Sequence, residues 1–227
     1  MNSELKSRIS FSAIKSQLMQ SWPGFFLATM VALAGASITV LVSAATDHPI
    51  WKLVKDPSQI MDYPPYIGML SNWGILLWMA TAAVCIFGAR LLKKQNAPAA
   101  TTRFIGLSGG LSLLLAVDDL YLFHDQVLPH LFNVRERVFY IVYLVILLSY
   151  LIYFFRQILQ YEYLLLASAF LLFAFSRRLF ISIPFLDSFM SIIDVLKYFG
   201  IVFWLTFFYR TTFHEVSQRM RPGESGS

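Results

Sequence analysis

Six times along this chain a run of about twenty residues or more is dominated by apolar side chains, the length a helix needs to cross about 30 Å of hydrocarbon. Inside a bilayer no water reaches the peptide N–H and C=O groups. A helix satisfies them within one segment, whereas an isolated strand leaves them open. The expected fold is therefore all-α: a polytopic integral membrane bundle of six transmembrane helices. The spans fall at residues 22–45, 67–92, 104–128, 134–157, 163–183 and 187–210.

Composition agrees with that class. Charged residues make up 14% of the chain and hydrophobic ones 57%, against about 25% charged in ordinary soluble domains. The net charge of +5 does not point to nucleic acid, because no basic stripe with interleaved aromatics occurs and the cations gather in short segments between apolar runs. The single cysteine, Cys85, lies inside an apolar run, which excludes an internal disulfide framework. It reads as a small buried residue.

Three regions follow. Residues 1–21 carry Lys6, Arg8 and Lys15 among apolar residues at near-helical spacing, a cytoplasmic interfacial helix. Residues 22–210 form the six-helix transmembrane domain, and residues 211–227 a cytoplasmic polar tail. Residues 46–66 between the first two spans read as a long polar loop containing Pro64 and Pro65. In the third span, Gly106 to Gly110 forms a small-xxx-small face suited to close helix packing.

The cations set the orientation. Lys6, Arg8, Lys15, Arg90, Lys93, Lys94, Arg103, Arg156, Arg210, Arg219 and Arg221 fall on one side of the six-span arrangement, eleven in all. The other side has four: Lys52, Lys55, Arg135 and Arg137. The positive-inside rule then places both termini in the cytoplasm of a multi-pass cell-membrane protein.

Charges inside such spans are expensive, roughly 3 kcal/mol each on insertion scales, so they tend to face the bundle interior, pair and mark sites. The densest case is Val117 to Pro129, VDDLYLFHDQVLP. Asp118 lies about 21 Å along a helix from Phe104, in the outer half of the membrane. As a continuous helix, this stretch puts Asp118 and Asp125 on one face beside Tyr121. His124 then lies on the flank, and Asp119 points roughly 100° away.

Other spans deliver polar groups to the same depth. Glu136, Tyr140, Tyr143 and Tyr150 form a stripe on the fourth, Arg177 and Arg178 lie inside the fifth about 21 Å from Tyr163, and Asp194 and Lys197 share a face of the sixth. Asn72 starts the second on that side. This convergence points to one polar site in the outer half. Asp118, His124, Asp125, Glu136, Asp194 and Lys197 are its ion- or proton-binding groups. Arg177 and Arg178 act as counter-charges, and Tyr121, Tyr140, Tyr143 and Asn72 as lining.

The chemistry that best fits the near balance of acids and bases is binding and translocation of protons or small ions. Two alternatives stand beside it. One is a metal-dependent membrane-embedded enzyme acting on a lipid or lipid-linked substrate, with Asp118, His124 and Asp125 holding a divalent metal, although no HExxH, ExxH or HxxxH pattern occurs. The other is a non-catalytic subunit of a membrane complex, in which pairs such as Asp194 with Lys197 only lock helix register. The expected partners are the lipid bilayer and either a second copy of the chain or a membrane-complex partner.

Overall fold

The computed structural model describes residues 11–55, 57–176 and 190–220, and every regular element among them is helical. Lys6, Arg8, Arg177, Arg178, Asp187 and Arg221 lie outside the described residues, as do the side chains of Glu136 and Arg137. The chain divides into two compact units, residues 1–67 and 68–227.

In the first unit, α1 (Phe11–Thr46) is one continuous helix of 36 residues with Pro23 inside it. The segment expected as a plain loop holds two short helices, α2 (Ile50–Val54) and α3 (Pro57–Met61). Pro57 opens α3, where a missing N–H costs nothing.

The second unit contains α4 (Met69–Lys94), α5 (Ala99–Tyr121), α6 (Leu128–Phe132), α7 (Glu136–Ile158), α8 (Tyr163–Ser176) and α9 (Met190–Met220). Among the described residues three helices are long and apolar enough to cross a membrane: α4, α5 and residues 138–158 of α7. Two shorter apolar stretches accompany them, Ala32–Thr46 and Tyr163–Ser176. The fifth expected span runs past Ser176 into residues outside the described set. The sixth overlaps α9, which is not one of the three and runs on to Met220, ten residues into the expected polar tail, where Thr211, Thr212 and Glu215 are buried; its first turns carry Asp194 and Lys197.

The core of this unit lies where α4, α5 and α9 meet. Trp204 of α9 is fully buried and packs against Trp78 of α4, Phe170 and Phe173 of α8 and Phe208 of its own helix. Phe104 of α5, also fully buried, joins Phe154 of α7, Tyr161 and Phe208. Aromatic pairs at such separations add about 0.5–1.5 kcal/mol each beyond their burial.

Close helix approach is set by glycines, though not by the spacing expected. A Cβ on Gly109 would lie 2.8 Å from Ile86 Cγ1, and one on Gly88 only 2.1 Å from Thr212 Cγ2. These residues let α5 and α9 press against α4. Gly106 meets Ala89, but Gly110 faces open space, so the contact face of α5 steps from 106 to 109 rather than from 106 to 110. Ser108 and Ser112 complete the buried face. Ser108 Oγ hydrogen-bonds Tyr150 Oη at 2.6 Å, and Trp204 Nε1 donates to Ser112 Oγ at 3.0 Å.

Candidate functional site

A left-handed residue builds the site. The helix expected to run unbroken to Leu128 stops at Tyr121, because Leu122 takes φ 53° and ψ 40°. A π-helical turn, Phe123–Val127, and the short α6 follow, and Asn133, again left-handed, precedes α7. A branched, non-glycine side chain in that conformation costs roughly 1–2 kcal/mol. The turn recovers hydrogen bonds: Gln126 N–H donates to the Leu122 carbonyl at 2.8 Å, and His124 N–H donates to the Asp118 carboxylate at 3.1 Å. The Asp118 side chain thus staples the chain reversal that follows its own helix.

That reversal swings His124 back over Asp118. His124 Nδ1 bonds Asp118 Oδ2, and both residues are buried, each side chain only 4% exposed. Tyr143, one face of α7, donates to Asp118 Oδ1 at 2.8 Å. On the far side of the imidazole, Nε2 lies 3.2 Å from Asp125 Oδ1, whose side chain is 36% exposed. Tyr140 donates to that same Asp125 oxygen. The rings of Tyr140 and Tyr143 meet the imidazole edge-on, with centroids at 5.3 and 5.7 Å. His124 is therefore gripped through both nitrogens by carboxylates and walled by two phenols.

Asp119, on the neighbouring face, joins different helices. Lys197 of α9 donates to its Oδ1 at 2.7 Å, and the Trp78 indole of α4 donates to Oδ2 at 3.1 Å. Lys197 thus bonds Asp119 rather than Asp194, which is exposed one turn earlier on α9. Asp118, Asp119 and His124 nevertheless each offer a ligand atom, all within 4.8 Å of one another. The 100° between the two aspartates separates their hydrogen bonds without separating them from one site.

The remaining expected lining residues lie elsewhere. Asn72 is exposed on the first turn of α4, and Tyr121 is 60% exposed with its ring against Phe123. Tyr150, lowest in the tyrosine stripe, bonds Ser108 two turns below the cluster. The residue that sequence reasoning left out is Trp78. Its signal was an indole N–H in an apolar span, a donor that finds a partner when buried.

The other end of the same bundle holds a second polar cluster. Tyr161 donates to Glu215 Oε1 at 2.9 Å, and Arg219 donates to Oε2 at 2.5 Å. Burial, aided by that carboxylate, pushes the Tyr161 phenol above its ordinary range. Arg210 grips Glu162 through two hydrogen bonds of 2.5 Å, which hold this exposed carboxyl below the usual glutamate range.

A family model described as a domain of unknown function (DUF8692) matches residues 24–211, a stretch that includes every residue of the Asp118 cluster. No curated protein and no solved structure matches the chain.

Proposed function

The chain belongs to this family of unknown function, and from that premise we propose that it is a six-span membrane protein whose outer-half site binds and moves protons. Both termini lie in the cytoplasm in this reading, on the cation distribution given above. The observation that carries it is His124 placed between a buried and a partly exposed carboxylate.

The chemistry follows from the two ring nitrogens. Asp118 holds a proton at Nδ1, which fixes the tautomer and leaves Nε2 as the exchanging atom. A proton arriving at Asp125 Oδ1 passes across 3.2 Å to Nε2, giving an imidazolium that donates to both carboxylates. Onward movement passes the Nδ1 proton to Asp118 Oδ2, the N–H bond breaking as the O–H bond forms, and leaves a neutral imidazole that keeps the incoming proton at Nε2. Tyr140 and Tyr143 donate to the carboxylates in either state and preserve their geometry. The Lys197–Asp119 pair neutralises the adjacent acid and keeps it from competing for the proton. Ser112 and Ser108 are buried hydroxyls about 9 and 15 Å inward from Asp118 along α5, in support of movement as well as binding.

The test is proton flux in liposomes, read with an internal pH dye. Wild-type protein acidifies or alkalinises the lumen along an imposed gradient, and His124→Gln does not, while still eluting as the same folded species. Equal flux from the two proteins would sink the reading.

A second reading is favoured by the Asp118, Asp119 and His124 ligand atoms. Two carboxylates and an imidazole suit a divalent metal such as manganese, iron or zinc, which could supply Lewis-acid chemistry to a lipid-linked substrate. The donors fit in type and spacing, but Asp119 Oδ1 already holds Lys197, which a metal has to displace. That competition places this reading second. Elemental analysis of the purified protein separates the two: stoichiometric metal that is lost in Asp119→Asn favours the metal centre.

A further inference from the structure

A groove of about 190 Å³ opens between the first turns of α5 and the last turns of α7, lined by Ala100, Arg103, Tyr153, Phe154 and Gln157. It lies about 22 Å along α5 from Asp118 and shares no residue with that site. We propose that this groove binds the headgroup of an anionic phospholipid through its phosphate.

The donors are placed for an anion. Arg103 Nε donates to the Ala99 carbonyl at 3.3 Å, which leaves the two terminal nitrogens without a hydrogen-bond partner among the described residues. Arg103 takes part in no ion pair among the described residues. The Gln157 amide and the Tyr153 hydroxyl add neutral donors, and no carboxylate lines the groove. The nearest described acid on the following loop, Glu162, is already gripped by Arg210. A planar guanidinium with free paired N–H groups is the side chain best matched to phosphate oxygens.

Size and surroundings select the lipid over a soluble ion. The volume equals that of about six waters, enough for a phosphate and its ester linkages. Phe154, only 3% exposed, forms an apolar floor. Beyond the groove both helices present outward apolar side chains, Leu107 and Leu114 on α5 and Ile152 and Leu148 on α7. Both are among the helices long and apolar enough to cross a membrane, so the groove lies where headgroup meets acyl chain. A ligand with an anionic head and apolar tails satisfies both surfaces at once, whereas inorganic phosphate satisfies one.

The test uses full-length protein in nanodiscs of equal phosphatidylglycerol and phosphatidylcholine, extracted gently so that retained lipid is counted by native mass spectrometry. Wild-type protein retains phosphatidylglycerol in preference to phosphatidylcholine. Arg103→Gln loses that preference by roughly tenfold, the worth of one good charge-assisted contact. Arg90→Gln, an exposed cation on α4 outside the groove, keeps it. Equal loss in the two variants would show a general attraction to the basic end and overturn the proposal. Displacement of the retained lipid by millimolar inorganic phosphate, with matching thermal stabilisation, would also overturn it, by making the site one for the free ion.

Discussion

Both ends of the α4–α9 bundle bury a carboxylate beneath a tyrosine hydroxyl, yet they complete it with different partners. Glu215, 8% exposed, receives Tyr161 and the Arg219 guanidinium. Asp118, 3% exposed, receives Tyr143 and the His124 imidazole. A guanidinium stays protonated at every pH a protein survives, so the Glu215 cluster has one charge state and serves as a clamp. An imidazole exists in a neutral and a charged form, so in the proposed reading the Asp118 cluster has two. In the proton-handling reading proposed above, similar carboxylates in similar burial become a lock or an exchanger according to the third residue.

The largest expected effect comes from cutting each carboxylate. Asp118→Asn lowers proton flux by at least about a hundredfold, the usual scale for removing a proton-transfer group, and leaves the protein folded. Glu215→Gln leaves flux within twofold of wild type but lowers stability by about 1–3 kcal/mol, since Arg219 then loses its ionic partner. Equal flux losses in the two would break the comparison.

Next comes an exchange of partners. Arg219→His gives the clamp a titratable cation, whose pKa is raised in the folded protein by Glu215. The stability it supplies is present below the ordinary histidine value of about 6.5 and is lost as pH rises through the raised folded value. Thermal melts of this variant fall between pH 6 and 8 relative to wild type, and a flat difference would show that the partner does not set the behaviour. The smallest effect is at Leu122, where Leu122→Gly removes the left-handed penalty at some cost in chain entropy. It raises stability by about 0.5–1 kcal/mol in the same melts if the turn is otherwise kept.

Much of this arrangement was legible because it rests on periodicity and cost. Long apolar runs dictate helices, and Tyr140 and Tyr143 at three-residue spacing fall on one face of α7, where both meet His124. What could not be read depends on local backbone choices. Leu122 has no propensity for the left-handed region, so nothing in its identity announces that α5 ends there. An unbroken helix would have left His124 on the flank rather than over Asp118. The Lys197 pairing was hidden for another reason: Asp194 is its neighbour along α9, whereas Asp119 is its neighbour across the bundle. Sequence spacing reveals the first kind of proximity alone. Gly109 taking the packing role expected of Gly110 is the same failure at the scale of one helix face.

The early end of α5 also shapes the electric potential at the cluster. A helix C-terminus carries about half a negative elementary charge on its last unpaired carbonyls. Because α5 stops at Tyr121, that charge falls within a turn of Asp118 and Asp119 instead of about 10 Å further on, at Leu128. Helix end and carboxylates add with the same sign, at the spot where His124 and Lys197 present their nitrogens. The residue that breaks the helix thereby deepens an electrostatic well for positive charge, and it does so with a leucine that carries no charge itself.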